Sequence, residues 1–213
     1  MGSQQQSLSD LQDIKRIMER SSRFISLSGL SGIAAGSLGL TASIIAYNWI
    51  YSYYTNYNGR GNWAVGDFVQ LEWKLFILAI ATLVLAFLAG FYFTWKKAKK
   101  SGADMWNSSS KRLIINLCIP LATGAVFIFA MLLHDEWRFI GPACLLFYGL
   151  ALINGSKYTL DEVRYLGLCE IVLGCINLFY PGYGLYFWGA GFGILHIIYG
   201  LLMWNKYERK EVA

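Results

Sequence analysis

Charge is scarce in this chain. Asp, Glu, Lys and Arg make up 15% of its 213 residues, while hydrophobic residues reach 56% and aromatics 16%; soluble globular proteins carry about 25% charged residues. Residues 24–50, 75–95, 113–133, 139–156 and 171–205 contain none of those four residue types. Runs of that length exclude a soluble domain and suit membrane spans, each of which needs about 20 apolar residues. The last run is too long for one crossing and is interrupted by PGYG at Pro181 to Gly184, where a fixed proline φ and permissive glycines favour a turn. The expected fold is therefore an all-α polytopic membrane protein with six transmembrane helices in three hairpins.

Proline and histidine are equally sparse, with 3 and 2 copies. Pro120 falls inside the third span, where it favours a kink that neighbouring helices can satisfy, and Pro142 falls in the first turn of the fourth, where its missing N–H costs little. Cys118, Cys144, Cys169 and Cys175 lie within spans and lack paired ligand spacing, so they read as small apolar fillers rather than disulfides or metal ligands. No phosphate-binding glycine loop follows a strand. No cofactor, metal or catalytic residue is expected, and the chain reads as non-enzymatic.

The charge that is present has a direction. Lys15, Arg16, Arg20, Arg23, Lys96, Lys97, Lys99, Lys100, Lys111, Arg112, Lys157, Arg164, Lys206, Arg209 and Lys210 would share one side, 15 of the 18 basic residues, against Arg60, Lys74 and Arg138 on the other. Basic residues are retained on the cytoplasmic side, so both termini are expected inside, in the inner membrane. The net charge of +5 expresses this bias and no nucleic-acid footprint, because the basic residues are split over short segments without aromatic interleaving. Residues 1–23 form a polar tail in which Leu8, Leu11, Ile14, Ile17 and Met18 share a helical face and Ser9 and Gln12 have capping-box spacing. That tail reads as an amphipathic cytoplasmic helix on anionic lipid, or as a docking helix for a partner. No cleavage pattern follows it, so the first span is expected to remain as an anchor. Residues 24–205 are then the membrane domain and 206–213 a short cytoplasmic tail.

Glycine is plentiful and ordered. Gly29, Gly32, Gly36, Gly39 and Ser43 form one stripe on the first span, while Gly167, Glu170, Gly174 and Asn177 align on the fifth and Gly189, Gly193, His196 and Gly200 on the sixth. Small residues permit the close approach on which helix packing in lipid depends. The first stripe is a packing face within the bundle or across a homodimer or another membrane partner, and the grooves of the fifth and sixth spans suit each other. A shift of 51 residues superposes Leu117 and Cys118 on Leu168 and Cys169, Tyr148 to Leu150 on Tyr199 to Leu201, and Asn154 on Asn205. The third and fourth spans thus resemble the fifth and sixth.

The segment LGLCEIVLGCINLFYPGYGLYFWGAGFGILHIIYGLLMW, with its spaced glycines and proline turn, resembles the short hairpin unit of HdeD-like bacterial acid-resistance membrane proteins. The resemblance covers mainly residues 165–204 and implies a six-helix membrane protein linked to envelope stress, with no catalytic residue carried over. The whole chain also resembles small uncharacterised bacterial six-helix membrane proteins. Glu170 and the long amphipathic tail depart from a plain apolar hairpin.

Glu170 is the chemical anomaly. A carboxylate within a span costs about 2.5–3.5 kcal/mol or more when ionised. At ~1.5 Å per residue, it lies roughly 9 Å beyond Arg164 and His196 lies roughly 15 Å before Lys206, about one turn apart in depth. A Glu170–His196 hydrogen bond is therefore expected, serving either as a neutral lock or as a proton relay of a small transporter or proton-coupled channel. Asn116, Thr123, Asn177 and Tyr199 are the candidate lining of such a polar pocket. The GLSG of Gly29 to Gly32 spells the serine motif of rhomboid proteases, with Ser31 near the depth of His196, but here it is one segment of a longer glycine stripe.

Overall fold

A computed structural model of the protein describes residues 27–60, 65–102 and 105–209; the amphipathic tail lies outside them. All regular structure among the described residues is helical. Helix α1 spans Gly29–Arg60, α2 Val65–Ser101, α3 Ser108–Leu133, α4 Ile140–Ser156 and α5 Asp161–Phe179. The last rod, α6, runs Pro181–Tyr207 and changes pitch along its length: a 3₁₀ turn at Pro181–Tyr183, α-helix over Gly184–Trp188, a π-helical segment at Gly189–Leu195 and α-helix again over His196–Tyr207.

Five of these rods, all but α5, are long and apolar enough to cross a membrane. Helix α5 differs because Asp161, Glu162, Arg164 and Glu170 fall within its 19 residues. The helices also outrun the uncharged stretches of the sequence. Helix α2 has 37 residues, about 55 Å of rod against a hydrocarbon core of about 30 Å, because backbone hydrogen bonding continues where side chains turn polar. Pro120 is accommodated within a continuous α3. Pro142 lies in the first turn of α4, and PGYG forms the 3₁₀ turn between α5 and α6.

Packing is uneven. Helix α1 lies between α2 and α6, and α4 lies between α3 and α5 and also meets the first half of α6. This leaves α2 and α3 on the flanks; none of the most apolar stretch of α2 is buried. In water such an outside would be untenable, whereas lipid tails solvate it as well as a neighbouring leucine would. The stripe of α1 packs within the bundle, one of its two expected readings, whereas those of α5 and α6 meet partners other than each other. A Cβ on Gly36 would lie 2.7 Å from Gly193 O and one on Gly32 3.0 Å from Gly200 Cα, so α1 and α6 touch backbone to backbone. A Cβ on Gly167 would lie 2.8 Å from Gly149 O and one on Gly174 2.8 Å from Leu146 Cγ, both on α4. The grooves of α5 and α6 are therefore not seated in each other. Each is filled by the preceding or distant helix whose own small residues allow a closer fit.

One end of the bundle is clamped by polar bonds. Glu208 accepts from the Gly29 N–H at 2.6 Å and from the Ser28 hydroxyl at 3.2 Å, capping the start of α1. Lys97 of α2 pairs with Glu208 at 3.5 Å and donates to Leu27 O at 2.7 Å. Beside them Glu162 accepts from Lys206 at 2.5 Å and from the Tyr207 hydroxyl at 3.0 Å, tying the start of α5 to the end of α6.

Candidate functional site

Glu170 reaches the centre because its helix has no room to turn it elsewhere. Gly167 and Gly174, one turn to either side, bring α5 close against α4, and the carboxyl between them points towards the π-helical segment of α6. It is fully buried, at 0% exposure. Gly191 makes the space: a Cβ there would lie 2.5 Å from Leu145 Cδ2 and would collide with the Glu170 carboxyl. A π segment adds one residue per turn and widens the helix locally; here the widened part is GAGFGIL, with three buried glycines.

His196 stands at the end of that segment, with its Nδ1 3.4 Å from Glu170 Oε1. The two side chains meet, but the expected hydrogen bond is not formed, and neither Glu170 oxygen has a hydrogen-bond partner. The imidazole is committed elsewhere. Nδ1 lies 2.9 Å from Gly191 O and Nε2 2.8 Å from the Tyr148 hydroxyl. A carbonyl can only accept, so Nδ1 carries a proton; in the neutral ring Nε2 then accepts from the Tyr148 O–H. The polarity runs from Tyr148 through His196 to Gly191, and Glu170 stands beside this chain rather than in it. Phe192 closes the ring cluster, with centroids 5.0 Å from Tyr148 and 5.9 Å from His196.

The remaining candidates are dispersed. Asn177 is fully buried two turns along α5; its amide donates to Tyr180 O at 3.0 Å while its Oδ1 faces Gly141 and Gly184. Asn177 thus stands beside the turn joining α5 and α6, and its Oδ1 is buried without a hydrogen-bond partner. Tyr199 sets its hydroxyl 3.7 Å from Cys169 Sγ. Asn116 and Thr123 bond back to Arg112 O and Ile119 O of their own helix, at 2.8 and 2.9 Å, and Thr123 is exposed on flanking α3. They do not join Glu170 in a shared pocket. Ser31 of the GLSG segment donates to Ser28 O, while both His196 nitrogens are bonded to other groups.

Two residues of the cluster escaped the sequence reading. Tyr148 was visible only as the counterpart of Tyr199 in the 51-residue repeat, which gives no hint that one binds histidine and the other cysteine. Gly191 lies in a glycine-dense run but off the Gly189, Gly193, Gly200 stripe. Among the described residues no group of three or more His, Cys, Asp or Glu side chains could hold a metal ion. No family model matches the chain, and neither a curated protein nor a solved structure matches it.

Proposed function

We propose that the protein is a non-enzymatic, multi-pass component of a bacterial inner membrane with a regulatory or scaffold role, both termini cytoplasmic. All six helices cross the bilayer in this reading, α5 shielded by its neighbours. The observation that carries the role is the sealed setting of Glu170: a fully buried carboxyl, closed over by Gly191 and Leu145, beside a histidine whose two nitrogens are already bonded. A transporter needs its intramembrane acid to open alternately to the two sides of the membrane during each cycle, whereas a regulatory site needs only slow exchange of one proton, which full burial of Glu170 suits. The backbone-to-backbone seam between α1 and α6 favours a rigid body whose lipid-facing flanks meet a second copy or another membrane protein. The link to envelope stress rests on the resemblance of residues 165–204 to HdeD-like hairpins.

Proteoliposomes test the role. Protein reconstituted in sealed vesicles with a pH-sensitive dye inside should carry no proton current above that of empty vesicles, with or without an imposed potential. A Glu170-dependent flux, lost in Glu170→Gln, would favour the small proton-coupled transporter instead.

A further inference from the structure

Two acceptors face one N–H at the centre of the molecule. The Nδ1–H of His196 is 2.9 Å from Gly191 O and 3.4 Å from Glu170 Oε1, and it is bonded to the carbonyl. That choice is informative, because a carboxylate accepts a charge-assisted bond roughly twice as strong as a neutral one. An ionised Glu170 would take the proton donor it can nearly reach. A buried carboxylate with no donor costs far more than a buried neutral acid. The arrangement is therefore that of a protonated acid.

We propose that Glu170 is a proton-binding site, occupied by one proton in this arrangement, and that loss of the proton transfers the His196 Nδ1–H from Gly191 O to the carboxylate. The acid O–H bond breaks, the proton leaves to bulk water, and the negative charge stays on Glu170. The histidine ring keeps both its Nδ1 proton and its bond from Tyr148. Gly191 O, within the π segment, loses its side-chain donor. The segment joins two differently packed parts of α6: Gly184–Trp188 meets α4, whereas His196–Tyr207 lies on α1. Proton release would thus loosen the joint between them.

Few other groups compete. From α4 the titratable side chain at the site is Tyr148, bonded to His196; from α6 there is His196 itself; on α5, Cys169 is turned to Tyr199 of α6. No Lys, Arg, Asp or Glu occurs in residues 24–50 of α1, 139–156 of α4 or 171–205 of α6. Along α5 itself the nearest fixed charge is Arg164, six residues before Glu170. This inference rests on the regulatory reading only for its use; the site itself does not depend on it.

Infrared difference spectroscopy on the full chain in liposomes, with pH stepped upwards, tests the site. The wild type should lose one protonated-carboxyl stretch that is absent from Glu170→Gln. Glu170→Asp should keep such a band at a displaced frequency, which decides the matter if the glutamine variant does not fold. Nitrogen-15 histidine spectra in a His134→Gln background should show His196 protonated at Nδ1 and bare at Nε2, with the Nδ1 signal shifting in step with the band. No carboxyl band dependent on position 170, protonation at Nε2 in the neutral ring, or a histidine signal indifferent to the band would each overturn the proposal. A proton current in the vesicle assay would instead remove the non-transporting role and leave the proton site standing.

Discussion

Helices α2 and α5 are near opposites in composition, and their positions are the reverse of what water would impose. The rod with the most apolar stretch is the least buried, with Phe87 71% exposed, while the rod that fails as a membrane span by its charge holds Glu170 and Asn177 at 0% exposure. In a soluble protein apolar surface is driven inwards. In lipid that drive is absent between helices, so burial is won by close backbone approach and by hydrogen bonds. Glycines and polar side chains therefore share the inside with leucines such as Leu145 and Leu152, while the leucines and phenylalanines of α2, such as Leu83 and Phe87, lie outside.

Substitution at glycine should break this contrast most sharply. Gly36→Leu forces a side chain onto Gly193 O and Ile197; it should cost about 3 kcal/mol or more and lower the unfolding midpoint in mixed micelles. Gly90→Leu on α2, where a Cβ meets nothing within 4 Å, should leave the midpoint unchanged. Equal losses at both glycines would mean that α2 is packed too.

Next in size is the end clamp. Glu208→Ala leaves the Gly29 N–H and Ser28 hydroxyl without their acceptor and unpairs Lys97, which should cost about 1.5 kcal/mol. Hydrogen exchange should then accelerate at the start of α1 before it does so at the middle of the helix. Uniform acceleration would show that the clamp does not act locally.

Double-mutant cycles should separate the two neighbours of His196. Tyr148→Phe with His196→Phe should show coupling of about 1 kcal/mol, as for a direct bond. Glu170→Gln with His196→Phe should give about half that, because the 3.4 Å contact is not a hydrogen bond in this arrangement. The opposite ranking would put Glu170 in the chain and Tyr148 beside it. Smallest of all, Phe87→Ala should stay within about 0.5 kcal/mol, since lipid replaces the lost contact; a larger loss, growing with protein concentration, would reveal a second copy on α2.

Much of this was legible beforehand, residue by residue. PGYG announces its own turn, because proline and glycine act on the backbone where they stand, and the meeting of Glu170 with His196 follows from depth along two rods. That no hydrogen bond would form between them was not legible. Hydrogen-bond geometry is settled over tenths of an ångström, and the winning acceptor, Gly191 O, is a backbone atom made available by a local change of helical pitch. Asn116 and Thr123 were drawn into the pocket by polarity alone, although a side chain bonded to its own helix needs no neighbour.

The sequence by itself determined that the chain suits a bilayer, that PGYG breaks its last apolar run, and that small residues line one face of α1, α5 and α6. These are local properties, readable from single contiguous runs and the periods within them. Only the tertiary structure decided that α1 meets α6 and α5 meets α4, that Tyr148 takes the second nitrogen of His196, and that Glu170 is left without a donor. A glycine stripe specifies how closely a partner may come and not which partner it is. That identity depends on pairings between distant segments, which no window on the sequence contains.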